Sequence, residues 1–195
     1  LGLEMAVSVA IQVLEALGPG HTQGVIHRDL NADHIFLMTR AREGRFIKVL
    51  DFGIAHLAYE PAITKVGQKL GTPDTMAPEL ISGASMGSSV DLYALGCVLY
   101  AMLTGRYPFL GSTHDIMEAH VKEEPERPSR VVSGITPALD AIVLKLLAKD
   151  PADRYQDAYQ VVRELADLGL VLEEEAVDPV RESTPEQEPG RRTYP

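Results

Sequence analysis

The sequence holds a single cysteine, Cys97, so no intrachain disulfide and no thiolate zinc cluster can form. Its setting, Leu95-Gly96-Cys97-Val98-Leu99, reads as a buried structural thiol. The six histidines show no metal-ligand spacing. Positive charge is scarce: 18 Lys and Arg stand against 28 Asp and Glu, a net charge of −10. That balance argues against nucleic acid or an anionic membrane as the main partner. Long apolar runs are missing too. The longest, Val90 to Leu103, is interrupted by Asp91 and Gly96 and falls short of the about 20 residues that a bilayer demands. There is no signal-peptide pattern and no internal repeat, so a reducing, cytoplasmic location is the default expectation. The first residue is Leu1 rather than Met, which leads us to expect further sequence upstream.

What is present suits one globular domain. The chain has 195 residues, 45% hydrophobic and 24% charged, enough to bury a real core. Leu3, Val7, Ala10, Ile11, Leu14 and Leu17 recur three and four apart. This predicts a helix, which Gly18-Pro19-Gly20 should stop. Ile35 to Met38 and Phe46 to Leu50 read as two strands joined by the charged turn Thr39 to Arg45. Asp51 to Glu79 is a long Gly- and Pro-containing segment, of a kind that is usually functional. Ser88 and Asp91 have capping-box spacing and open a helix through Leu92, Leu95, Val98, Leu99 and Met102 to Gly105. Apolar all round, it should be the buried central helix.

Thr113 to Lys122 reads as a weak amphipathic helix and Glu123 to Pro128 as a surface loop. A stronger helix should run from Pro137 to Ala148, with Leu139, Ile142, Val143, Leu146 and Leu147 facing inward. Asp157 to Leu168 is the last helix expected. From Glu173 onward seven acids stand against three arginines, and prolines recur. The reading is therefore a folded domain over 1–170 and an acidic, Pro-rich disordered tail over 171–195.

The stretch that carries chemistry is His27-Arg28-Asp29-Leu30-Asn31-Ala32-Asp33-His34, followed by Asp51-Phe52-Gly53 and Ala77-Pro78-Glu79. Two acids at the ends of two short strands can meet in one cleft. There they could hold a cation and a hydroxyl beside a phosphate. These motifs resemble the C-terminal lobe of a bacterial-type protein Ser/Thr kinase, over roughly Leu3 to Leu168. The resemblance implies a mainly α fold (α+β overall), with helices around a buried central helix and a small β-hairpin carrying the site.

It also implies roles. Asp29 would accept or orient the substrate hydroxyl proton, and Asp51 would hold Mg²⁺ on the phosphates of ATP. His27 and Gly53 would support the loop and let the segment after Asp51 swing. Asp91 would bond the backbone of the catalytic loop, and Glu79 would pair with Arg154. Arg28 resembles the arginine that meets a phosphorylated Thr in the activation segment. Thr64 is the candidate acceptor, with a plain surface threonine as the alternative. Thr72 would bond toward Asp29, and Thr75 replaces a usual Tyr.

Two positions of the His27–His34 stretch also depart from the family pattern. Asn31 stands where the family has Lys and brings a hydrogen bond but no charge. His34 stands where a second metal ligand, Asn, belongs; imidazole is a poor Mg²⁺ ligand, so a structural bond to Asp29 is expected instead. No glycine-rich loop and no Val-Ala-x-Lys strand occurs in the sequence. The expected function is phosphoryl transfer from ATP to protein hydroxyls, in a truncated and weakly active or inactive form. The alternative is a pseudokinase that binds a partner protein without catalysis.

Overall fold

A computed structural model of the chain describes residues 1–40, 44–51, 72–84 and 86–170. Phe52, Gly53, Thr64 and the 171–195 segment lie outside the described residues. Helix α1 spans Leu3–Thr22. Ala6, Val7, Ala10, Val13, Leu14 and Leu17 on its apolar face are fully buried. The expected stop at Gly18-Pro19-Gly20 does not occur. Pro19 lacks an N–H and so removes one backbone bond from the helix, and the residue itself is exposed. Gly18 meanwhile sits so close to Tyr159 that an added Cβ would lie 2.8 Å from the ring. Packing holds the helix for one more turn, until Gly24 takes φ +75°. By length and composition α1 could cross a bilayer, a property the sequence reading did not notice; here its apolar face forms part of the core.

Strands β1 (Ile35–Arg40) and β2 (Gly44–Val49) form an antiparallel ribbon with Ile35 opposite Val49 and Leu37 opposite Ile47. The strands reach further into the turn than alternation alone predicted. Ile35, Ile47 and Val49 pack on the core. Gln12 Oε1 of α1 accepts a bond from Ile47 N–H at 2.9 Å. Phe36, Leu37 and Met38 remain about half exposed.

Helix α2 (Pro78–Ser82) is short and ends on left-handed Gly83. The centre is α3 (Ser89–Thr104), where Leu92, Tyr93, Leu95, Cys97, Leu99 and Tyr100 are wholly buried. The capping box expected at its start does not form. Ser88 is itself helical and caps nothing, and Asp91 is drawn away to the backbone of His27 and Arg28. The reciprocal box sits instead on α4 (Thr113–Lys122). There Ser112 Oγ accepts from Asp115 N–H at 3.3 Å and Asp115 accepts from Ser112 N–H at 3.1 Å.

Helix α5 (Pro128–Val131) is a single turn. Helix α6 (Pro137–Leu146) starts on a Thr136 cap and crosses α3 at Gly96, where a Cβ would meet Leu146 Cβ at 2.8 Å. Helix α7 (Ala158–Ala166) starts on Asp157 and packs on α1. The result is the expected mainly helical fold around a buried helix, with a small hairpin.

Candidate functional site

The loop from Gly24 to Asn31 has few backbone bonds of its own, so its shape is imposed from α3. The Asp91 carboxylate, 0% exposed, accepts from His27 N–H and from Arg28 N–H, each at 2.8 Å. A carboxylate with two oxygens can satisfy two adjacent amides that no strand or helix serves. Arg28 is thereby held at φ +70°, a left-handed conformation that costs a non-glycine residue about 1–3 kcal/mol. His21, at the end of α1, reaches the same carboxylate through Nε2 at 2.8 Å. The sequence reading missed His21; a basic residue in the last turn of a helix was the available signal.

His27 is buried, and its Nε2 donates to the Leu50 carbonyl at 2.7 Å, joining the loop to the end of β2. Asn31 is 4% exposed and works in both directions. Its Oδ1 accepts from Asp33 N–H at 2.9 Å, capping the 3₁₀ turn Ala32–His34. Its amide nitrogen lies 3.0 Å from Thr72 Oγ1, 3.1 Å from the Asp29 carbonyl and 3.5 Å from the Asp29 carboxylate. Thr72 thus reaches Asp29 through Asn31.

His34 bonds to Asp29 as expected, but to its main chain: Nδ1 lies 2.7 Å from the carbonyl oxygen. Its Nε2 faces Asp51 Oδ2 at 3.6 Å. Asp51 is also left-handed, at φ +60°, and its side chain is 56% exposed. The structure therefore brings Asp29, Asn31, His34, Asp51 and Thr72 together. Arg28 lines a small cavity with Asp29, Leu30, Thr72 and Thr75, and its Nε is buried without a hydrogen-bond partner among the described residues.

Glu79 and Arg154 form the expected pair, forked at 2.7 and 2.8 Å and buried. Arg154 spends its other donors on the carbonyls of Ser89, Ala148 and Lys149. Beside the pair, α4 packs against the 3₁₀ turn Pro73–Thr75 that follows Thr72. Tyr93 Oη and His120 Nδ1 are 2.7 Å apart there, and Phe109 stands edge-on to the His120 ring. Burial, and then the Lys149 charge, push His120 down to about 4. Burial also lowers Lys149, to about 8. Neither residue was singled out from sequence, because helical spacing alone does not say that a histidine is buried. Among the described residues no group of three or more ligating side chains gathers.

Comparison with known proteins gives a consistent answer. A family model described as protein kinase domain matches residues 2–165. The serine/threonine-protein kinase Pkn1 of Myxococcus xanthus is 46% identical over 153 residues, which is 76% of this chain and 22% of that protein. The kinase pkn3 of the same organism is 41% identical, over 82% of this chain and 30% of its own length. The kinase PknB of Mycolicibacterium smegmatis is 39% identical, over 89% of this chain and 27% of its own. The chain spans less than a third of the length of each of these relatives.

Proposed function

This chain belongs to the protein kinase family, and from that membership we propose that residues 1–170 are the lower-lobe portion of a Ser/Thr protein kinase with a weakened catalytic loop. Its reaction is the transfer of a phosphoryl group from ATP to a protein hydroxyl. The observation that carries the reading is the triple reach of the Asn31 amide, to Thr72 and to both oxygen groups of Asp29. It supports a site in which Asp29 orients a hydroxyl presented alongside Thr72. Phosphoryl transfer passes through a loose transition state, so that positioning is most of the work.

Asn31 supplies no positive charge. Losing one electrostatic contact to the developing charge costs about 3–4 kcal/mol in the barrier. A phosphate on Thr64 is the ligand we assign to the buried Arg28 Nε, which has no hydrogen-bond partner among the described residues.

Kinases of this family use Mg²⁺ with ATP. Mg²⁺ asks for an octahedron of oxygens. Asp51 offers a carboxylate, but the group facing it at 3.6 Å is an imidazole nitrogen. The pair does not fit Mg²⁺ as an oxygen pair would.

A second reading, a pseudokinase that binds a partner protein, is favoured by the way the loop closes on itself. Both Asn31 and His34 are satisfied by Asp29 main-chain oxygen. A phosphotransfer assay on the full gene product separates the two readings. The natural protein is compared with Asn31→Lys/His34→Asn on a generic protein substrate. Weak transfer that rises at least tenfold in the double variant supports the kinase reading. Zero transfer in both supports the pseudokinase. Equal, rapid transfer in both overturns the weakened loop. Tight Mg-ATP binding by residues 1–195 alone, measured by calorimetry, would overturn the assignment to a lower lobe that holds half of the nucleotide pocket.

A further inference from the structure

The His34 ring is fixed from one side. Its Nδ1 lies 2.7 Å from the Asp29 carbonyl oxygen. A carbonyl can only accept, so Nδ1 carries the hydrogen. In the neutral ring the lone pair is then on Nε2, and it faces Asp51 Oδ2 at 3.6 Å. Two electron-rich atoms so placed are favourable neighbours only with a proton or a metal cation between them. A backbone carbonyl behind Nδ1–H is also the usual device that orients a metal-binding imidazole. Donors about 2.1 Å from a shared ion stand about 3.4 Å apart at the tetrahedral angle. The observed separation is already near that value.

We propose that His34 and Asp51 form a two-donor site selective for a transition ion of the zinc type over Mg²⁺. Imidazole suits Zn²⁺ and its first-row neighbours, whereas carboxylate, carbonyl and water suit Mg²⁺. The ion's other positions fall to water or phosphate oxygens, since no third ligating side chain gathers here among the described residues. The proposal rests on the reading of Asp51 as the cation-holding carboxylate.

The test titrates Co²⁺, a spectroscopic stand-in for Zn²⁺, and separately Mg²⁺ into the full chain. Visible absorption and calorimetry are the readouts, and circular dichroism checks the fold of each variant. The natural chain is expected to bind Co²⁺ at least tenfold more tightly than His34→Asn or His34→Gln, with absorption bands of nitrogen ligation. Mg²⁺ binding should hold or improve in His34→Asn. Asp51→Asn should weaken both ions. Unchanged Co²⁺ affinity in both His34 variants overturns the proposal, and if Asp51→Asn still weakens Mg²⁺, the reading of Asp51 stands. Unchanged affinity for both ions in Asp51→Asn overturns both.

Discussion

Arg154 and Glu79 meet in a buried fork, 2.7 and 2.8 Å long, across 75 residues of chain. The pair ties the α2 start to the turn before α7. Removing one partner strands the other's charge in the interior. Arg154→Met should therefore destabilise the fold by about 3–5 kcal/mol, read as a lower urea midpoint at unchanged slope. Arg154→Lys restores charge but not the fork and should recover only part of the loss. A midpoint unchanged in Arg154→Met would mean the pair contributes nothing.

Asp91 should be the most sensitive position supporting the loop. Asp91→Ala leaves His27 N–H and Arg28 N–H without their acceptor. Stranded buried donors cost about 1–3 kcal/mol each, and Arg28 loses what holds it at φ +70°. Amide resonances of His27 and Arg28 should shift in Asp91→Asn and broaden in Asp91→Ala. If both variants kept the native resonances, some other group would have to shape the loop.

His120 predicts an acid-side loss of stability. Its folded value is about 4, against 6.5 for the free side chain. The unfolded chain therefore takes up this proton first as pH falls. The stabilisation is complete above about 6.5 and is lost as pH drops toward 4, by at most roughly 3 kcal/mol. Denaturation from pH 7 to pH 4 should show a limb in the natural protein that is shallower in His120→Gln. Identical limbs would place the loss elsewhere.

Two glycines should respond differently to alanine. At Gly96 a Cβ meets Leu146 Cβ at 2.8 Å, an atom fixed by its backbone. Overpacking of about 1–3 kcal/mol outweighs the roughly 1 kcal/mol helix-propensity gain. At Gly18 the obstacle is the tip of the Tyr159 ring, and Tyr159 is 42% exposed and can swing outward. Gly18→Ala should be near neutral and Gly96→Ala destabilising. Thermal melts of the two variants decide it, and the reverse order would refute this reading of the contacts.

Much of the fold could be read from local pattern. The largely apolar α3 is buried as its composition demands, and Gly105 ends it in the left-handed conformation. What sequence misread was decided at long range. Gly18-Pro19-Gly20 looks like a stop, yet packing against α7 carries α1 through it. Ser88 and Asp91 have the right spacing for a box, but two unpaired amides 63 and 64 residues away compete for the carboxylate and win. Around Asp29 the neighbouring residues were legible, but bond directions were not. Nothing local says that His34 would choose the Asp29 carbonyl, or that Asn31 would stand between Asp29 and Thr72.

The β1–β2 ribbon is a two-stranded sheet, and a hairpin of that size is marginal in water by itself. It stays closed through the Gln12 bond to Ile47 and three apolar side chains laid on the core. His34 and Asp51 flank its open end, linked by the Leu50 N–H bond to the His34 carbonyl. Asp29 and Asn31, by contrast, sit in a loop pinned to α3. A boundary between cooperative units therefore runs through the short turn Ala32–His34, where amide hydrogen exchange should step from slow to fast. Opening of the ribbon would carry His34 and Asp51 away together and leave Asp29 and Asn31 in the loop held by α3.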